Sequence, residues 1–381
     1  MSVLDGLSKT SKNKNSLDFV GDNKIAVKNI DDKPKKKIIF YYFYILRIIS
    51  SFAVVLIHVS ADYYYKSKIN CFDFKISFFY NGIARFGVPI FYMISGALFL
   101  NQDISFNKMY NKYIKRMLIH LIIWSFIYSI SNVKLSKNNI KKIILKFFSS
   151  HYHLWFLFSI IGIYMLVPFL RLIAKKDELL KIYILLSIIF NFVFPNFIIF
   201  LSYYSKQYSS LLQSKYNSLN FNYRTGHVFY FMIGHYLNNK NEIKLFKVIF
   251  IYITGLLGVY FTTVLSYNFA LKNKKKMNFF SFDYLNIATY SISIFISIKA
   301  LFNNNNYKKV FLIKIISANT FGIYLIHPLI KETIKKYEIF KVMKYNKLLF
   351  KIPMATLFIY ISSLLISIII RYIPLIGHYL F

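Results

Sequence analysis

Arg47 and His58 stand eleven positions apart in the first long apolar segment, with ten residues between them (Arg-IISSFAVVLI-His). On an α-helix eleven steps of about 100° make three turns and roughly 20°, so both side chains share one face about 16 Å apart along the axis. A guanidinium stays charged and donates paired hydrogen bonds to phosphate oxygens. An imidazole, with an ordinary pKa of about 6.5, takes up and returns protons near neutrality. Ionisable groups inside a bilayer are costly, so a functional role is the primary reading of the pair, and an arginine snorkelling from a helix end is the competing one. Asp62, one turn beyond His58, could accept a hydrogen bond from the second ring nitrogen, or simply end the helix in water.

The elements that must carry these groups are membrane helices. The 381 residues are 56% hydrophobic and 20% aromatic, with a mean hydropathy of +0.45. A β-barrel would show short alternating segments, whereas these long apolar runs with isolated charges need helices that satisfy their own backbone bonds. The expected fold is therefore all-α, a polytopic integral membrane bundle of about ten transmembrane helices near 38–60, 76–100, 113–133, 153–173, 180–201, 223–238, 246–270, 280–302, 309–330 and 348–373. An even count puts both termini on one side. The positive-inside rule slightly favours an inside N-terminus, since the outer segments 134–150 and 331–347 are themselves strongly basic. Residues 1–37, lysine-rich and without apolar periodicity, read as a disordered basic cytoplasmic tail, and 38–381 as the transmembrane domain.

The net charge of +35 would suggest nucleic acid in a soluble protein, but here the lysines flank apolar spans, where they suit anionic membrane lipids; no nucleic-acid partner is expected. The lone Cys71 excludes an intramolecular disulfide framework. Gly-rich phosphate loops, HExxH pairs and GxSxG elbows are missing, and His58 with Asp62 lacks a third ligand, so no metal is expected. Residues 138–149 place Ile140, Ile143, Ile144 and Phe147 at helical spacing against a lysine face, as in an interfacial amphipathic helix. Residues 202–222 are too polar to span and read as a loop, either covering a vestibule or disordered.

Further ionisable groups join the first pair. Arg85 sits well inside span two beside Gly87 and Pro89, too deep to snorkel easily. Arg116 and Arg171 lie near helix ends, where snorkelling competes. His153 opens HLWFLF, where an interfacial anchor is the plainer alternative, and His327 precedes Pro328, which either breaks span nine or ends it. His151 reads as loop, and His120, His227 and His235 have no assigned role.

Five blocks in series, the Arg-X10-His spacing, ARFGVPIFYMISGALFL at 84–100, YIKRMLIHLIIWSFIY at 113–128, HLWFLFSIIGIYMLVPFLR at 153–171 and FGIYLIHPLI at 321–330, resemble the membrane acyltransferase-3 family of sugar O-acyltransferases. The family's first-helix arginine and histidine fall on Arg47 and His58. Its serine-glycine turn matches Ser95-Gly96, and the basic start of its third helix matches Lys115 and Arg116. A proline common in that third helix is absent here, where His120 stands.

The resemblance implies a multi-pass protein of the bacterial cytoplasmic membrane that moves an acyl group, commonly acetyl, from acyl-CoA to a hydroxyl of a cell-surface polysaccharide or its lipid-linked precursor. On that reading Arg47, Arg85 and Arg116 bind CoA phosphates, His58 is the general base or, less favoured, a transient acyl-imidazole nucleophile, Asp62 steadies its imidazolium, and His153 and His327 bind the acceptor. Acyl-CoA enters as a donor substrate, with no permanently bound cofactor. A transporter or flippase for a saccharide or lipid-linked glycan would also line its path with intramembrane charges and stays open at this point, although it needs no thioester-reactive centre. A purely structural synthase subunit would leave the Arg47 and His58 pair unexplained.

Overall fold

The computed structural model describes residues 40–69, 71–131, 139–219, 226–240, 245–273, 281–302, 311–337, 348–373 and 380, and the expected tail at 1–37 lies outside them. Arg47 and His58 lie on one unbroken helix, α1 (Tyr41–Lys66), as their spacing requires. The second apolar run is split into α2 (Phe72–Ile83) and α3 (Gly87–Phe99). Pro89 has no N–H to give the carbonyl of Arg85, and the chain tightens into a turn in which the Arg85 N–H bonds Gly82 O at 3.3 Å and the Gly87 N–H bonds Ala84 O at 3.1 Å. Arg85 therefore sits in the break. A Cβ at Gly87 would stand 2.8 Å from Ser50 O, so glycine lets α3 start flush against α1.

Beyond it, α4 (Phe106–Lys108), a π-helical turn at Met109–Ile114 and α5 (Lys115–Ser131) form one rod. The amphipathic segment is helical, α6 (Ile140–Ser149), and exposes Ile144, Leu145 and Phe148. A 3-10 turn at Tyr152–Leu154 leads into α7 (Trp155–Ala174), followed by α8 (Asp177–Ser187) and α9 (Phe194–Tyr204) on either side of a second π-helical turn. The polar stretch expected as a loop at 202–222 instead forms α10 (Lys206–Ser218), started by Ser205, whose side chain accepts the Tyr208 N–H. Then come α11 (Gly226–Asn239), α12 (Leu245–Asn273), α13 (Leu285–Phe302), α14 (Phe311–Lys336) and α15 (Leu348–Tyr372).

No strand occurs among the described residues. Eight helical rods there are long and apolar enough to cross a membrane, and the other two of the ten expected spans fall on α11, only 14 residues long, and on α12, whose apolar part is Ile249–Tyr260. The chain is thus an all-α, multi-pass membrane bundle. α1 lies at its heart, packed against α2, α3, α13, α14 and α15. α3 and α11 approach more closely still: a Cβ at Gly96 would fall 1.7 Å from Phe231 O, and one at Gly234 would fall 2.1 Å from Met93 O. Small residues that let helix backbones touch are the usual means of association where lipid removes the hydrophobic drive. Ser95-Gly96 is accordingly not a turn but a crossing point within α3.

Candidate active site

Two helices, the α2–α3 break and the 3-10 turn before α7 bring ionisable side chains to one place. His58 of α1, Arg85 of the α2–α3 break and His153 of the 3-10 turn line a cavity of about 310 Å³, walled by Val54, Trp155, Phe156 and Tyr324 among others. The His327 ring of α14 packs against His58 with centroids 5.1 Å apart, and the His153 ring lies 5.8 Å from His327. Tyr152 meets the His58 ring edge-on at 5.2 Å. The histidines at 58, 153 and 327 thus form one cluster, although they are far apart in the chain.

Each ring is held by what it bonds. His327 is fully buried and its Nδ1 lies 3.1 Å from Ile323 O; a carbonyl only accepts, so the proton is on Nδ1 and Nε2 carries a lone pair with no protein partner. The expected break or helix end at Pro328 does not occur. α14 runs through it for two further turns, to Lys336. Those extra turns carry Lys331, Glu332 and Lys335 to the site.

His153 is positioned by a chain of contacts. Glu332 Oε1 accepts from His151 Nε2 at 3.0 Å, and His151 Nδ1 lies 2.6 Å from His153 Nδ1. With the carboxylate fixing the His151 proton on Nε2, its Nδ1 accepts from the His153 Nδ1–H, which leaves the buried His153 Nε2 as a second lone pair with no protein partner. Tyr128 stacks on His151 at 4.2 Å and donates to Leu325 O at 2.7 Å, and Tyr324 donates to His153 O at 2.5 Å. Sequence reasoning passed over His151 and Glu332; they lie 181 positions apart, and only the approach of α14 to the turn before α7 joins them.

Arg85 reaches the same cavity through Asn81. Its Nε donates to Asn81 Oδ1 at 2.9 Å, its Nη2 reaches the same oxygen, and Asn81 Nδ2 donates to Ile57 O and Ser60 Oγ, both at 3.0 Å. The guanidinium is thereby fixed to the turn of α1 that bears His58. This puts Arg85 with the histidines, away from Arg47.

No hydrogen bond joins Asp62 to His58 among the described residues. Its carboxylate pairs with Lys331 at 3.3 Å and Lys335 at 3.8 Å, and Lys331 also points to His58 O at 3.4 Å and lies over the Tyr152 ring. The two lysines of α14 occupy the carboxylate that helical spacing offers to His58.

A second cluster forms around Arg47, which is absent from the wall of the histidine cavity. Arg47 lies near Tyr164 of α7 and Tyr44, and Tyr164 bonds Ser95 and packs on Phe99 at 4.6 Å. The first-helix arginine and the Ser95-Gly96 crossing therefore meet through Tyr164. Arg116, on the first turn of α5, is exposed and feels Arg371 of α15. Arg171 donates to Ile104 O at 2.9 Å, tying α7 to the segment before α4.

No curated protein and no solved structure matches the chain significantly. The family model described as an acyltransferase domain does match, over residues 40–372, a stretch holding every site residue above. On that match, which covers most of the chain, the chain belongs to the acyltransferase-3 family of membrane acyltransferases.

Proposed function

We propose that this protein is an O-acyltransferase of the bacterial cytoplasmic membrane, taking an acyl group, in the first instance acetyl, from acyl-CoA and placing it on a hydroxyl of a cell-surface polysaccharide or its lipid-linked precursor. The observation that carries this reading is the convergence of His58, His153 and Arg85 on one cavity in a chain of this family.

Transfer requires the acceptor hydroxyl to lose its proton as its oxygen attacks the thioester carbon; the C–O bond forms, the C–S bond breaks, and the proton passes to the departing thiolate. His58 is the proposed general base, and His153 Nε2 and His327 Nε2 are suited to accept hydrogen bonds from acceptor hydroxyls. Arg85, fixed by Asn81, is a permanent cation at the same cavity and suits the oxyanion that develops as the carbonyl is attacked. Arg47 and Arg116 remain the proposed contacts for CoA phosphates, Arg47 about 16 Å down α1 from His58, a length on the scale of a pantetheine arm. Asp62 supports the site through Lys331, whose ammonium it holds against the His58 turn.

Membranes holding the wild type or His58→Ala, incubated with radiolabelled acetyl-CoA and extracted surface glycan, test the reading. Label should enter the glycan with the wild type and fall by about a hundredfold or more with His58→Ala, the usual contribution of a general base. Equal incorporation by both would remove His58 from the mechanism, and no incorporation into any glycan would favour the transporter.

A further inference from the structure

Beside the histidine cavity, at the ends of α1 and α14 and the start of α15, lies a second hollow of about 270 Å³. Lys66, Lys331, Lys335 and Lys351 line it, with Asp62 as the single acidic group. Asp62 is shared by Lys331 and Lys335, so it offsets one of the four charges. Among the described residues the ammonium groups of Lys66 and Lys351 have no hydrogen-bond or ion-pair partner. The floor between these cations is apolar, made by Val59, Ile334 and Ile359. Four cations gathered from three helices repel one another, and such an arrangement is relieved when an anion occupies it.

We propose that this hollow binds the phosphate of a lipid-linked acceptor, holding the glycan by its phosphate while a sugar hydroxyl enters the histidine cavity. The proposal rests on the acyl-transfer reading above and specifies its acceptor. Position supports it: Lys331 contacts both the Asp62 carboxylate and the His58 carbonyl, so the hollow adjoins the turn that bears the proposed base. Asp62 is one turn from His58, a rise of about 6 Å, which is on the scale of the distance from a glycosyl phosphate to the hydroxyls of the sugar it carries. The chemistry of the lining supports it too. Ammonium groups above an apolar floor fit a molecule that is anionic at one end of a hydrocarbon chain, whereas a free nucleotide has no use for the floor. CoA, whose phosphates offer the same charge, is the alternative source the test must separate.

The full-length protein in phosphatidylcholine nanodiscs is titrated with polyprenyl phosphate, with no acyl donor present. Saturable binding is expected, weakened about tenfold or more in a Lys66→Gln, Lys351→Gln double variant and recovered in the matching Lys→Arg double variant. CoA, and phosphatidylglycerol at matched charge, should not displace the probe. Unchanged affinity in the Gln variant overturns the site, displacement by CoA reassigns it to the donor, and equal displacement by phosphatidylglycerol reduces it to surface charge. His58→Ala should bind the probe normally while failing to transfer acyl groups. If His58→Ala transferred normally, the acyl-transfer role of His58 would fall while the binding result stood, so the two readings fail separately.

Discussion

Glu332 decides where the protons sit on two histidines. By accepting from His151 Nε2 it makes His151 Nδ1 an acceptor, and His153 must then turn its bare Nε2 toward the cavity. Glu332→Leu removes that preference and leaves His151 free to take either tautomer, so acyl transfer should slow by about tenfold or more in a single-turnover assay with acetyl-CoA. Glu332→Gln, which can still accept through its amide oxygen, should retain more activity than Glu332→Leu. Of this constellation the sequence disclosed the members that stand alone in apolar surroundings: His58 and Arg85 were conspicuous because nothing nearby could satisfy them. His151 was hidden by lying in a polar connection, and Glu332 by lying beyond the expected end of its span. Helical spacing alone puts Asp62 beside His58 and cannot foresee that lysines from α14 compete for the same carboxylate.

At the scale of elements, glycine and proline explain most of what differs from a row of plain spans. Gly87 and Pro89 make the break that delivers Arg85, and both were visible in the sequence, although the consequence was not. Gly96 and Gly234 set the spacing of α3 and α11. Gly96→Leu would drive a side chain into the Phe231 carbonyl, and should lower thermal stability in detergent by several degrees or prevent accumulation of folded protein, as followed by fluorescence-detected size-exclusion after heating. Lys299 of α13 acts across elements too: its ammonium donates to the carbonyls of Leu237, Asn238 and Lys240 at 2.7 to 2.8 Å, closing the end of α11. Lys299→Met strands three carbonyls and should destabilise by about 2 to 4 kcal/mol, in the same heating assay, with the acyl-transfer rate of the surviving folded fraction little changed. The helix α10 escaped the sequence reading because its stretch is polar and lacks an apolar period, and its Ser205 cap was lost among many serines.

Across the whole molecule, α1 links two separate constellations, Arg47 with Tyr164 and Ser95 at one level and the histidines with Arg85 at the other. Their separation gives different expected defects. Arg47→Ala should raise KM for acetyl-CoA by about ten- to a hundredfold with a smaller change in kcat, whereas His58→Ala should act on kcat; steady-state kinetics with varied donor distinguishes them. The bundle itself was legible because membrane helices must announce themselves by long apolar runs. Which charges meet was not, since that depends on how helices distant in sequence pack together.

His153 and His327 both have their Nδ1 hydrogen engaged by the protein, at His151 Nδ1 and at Ile323 O, so each has only the bare Nε2 to offer. A group that meets these two nitrogens must therefore bring a donor, and an ether or ester oxygen placed there would set electron pair against electron pair. A glycan already esterified at the reacting position, or capped there as a methyl ether, should be turned away by a factor on the order of ten thousand relative to the free alcohol. The same arrangement that welcomes the substrate would thus release the finished ester, and each position would be modified once.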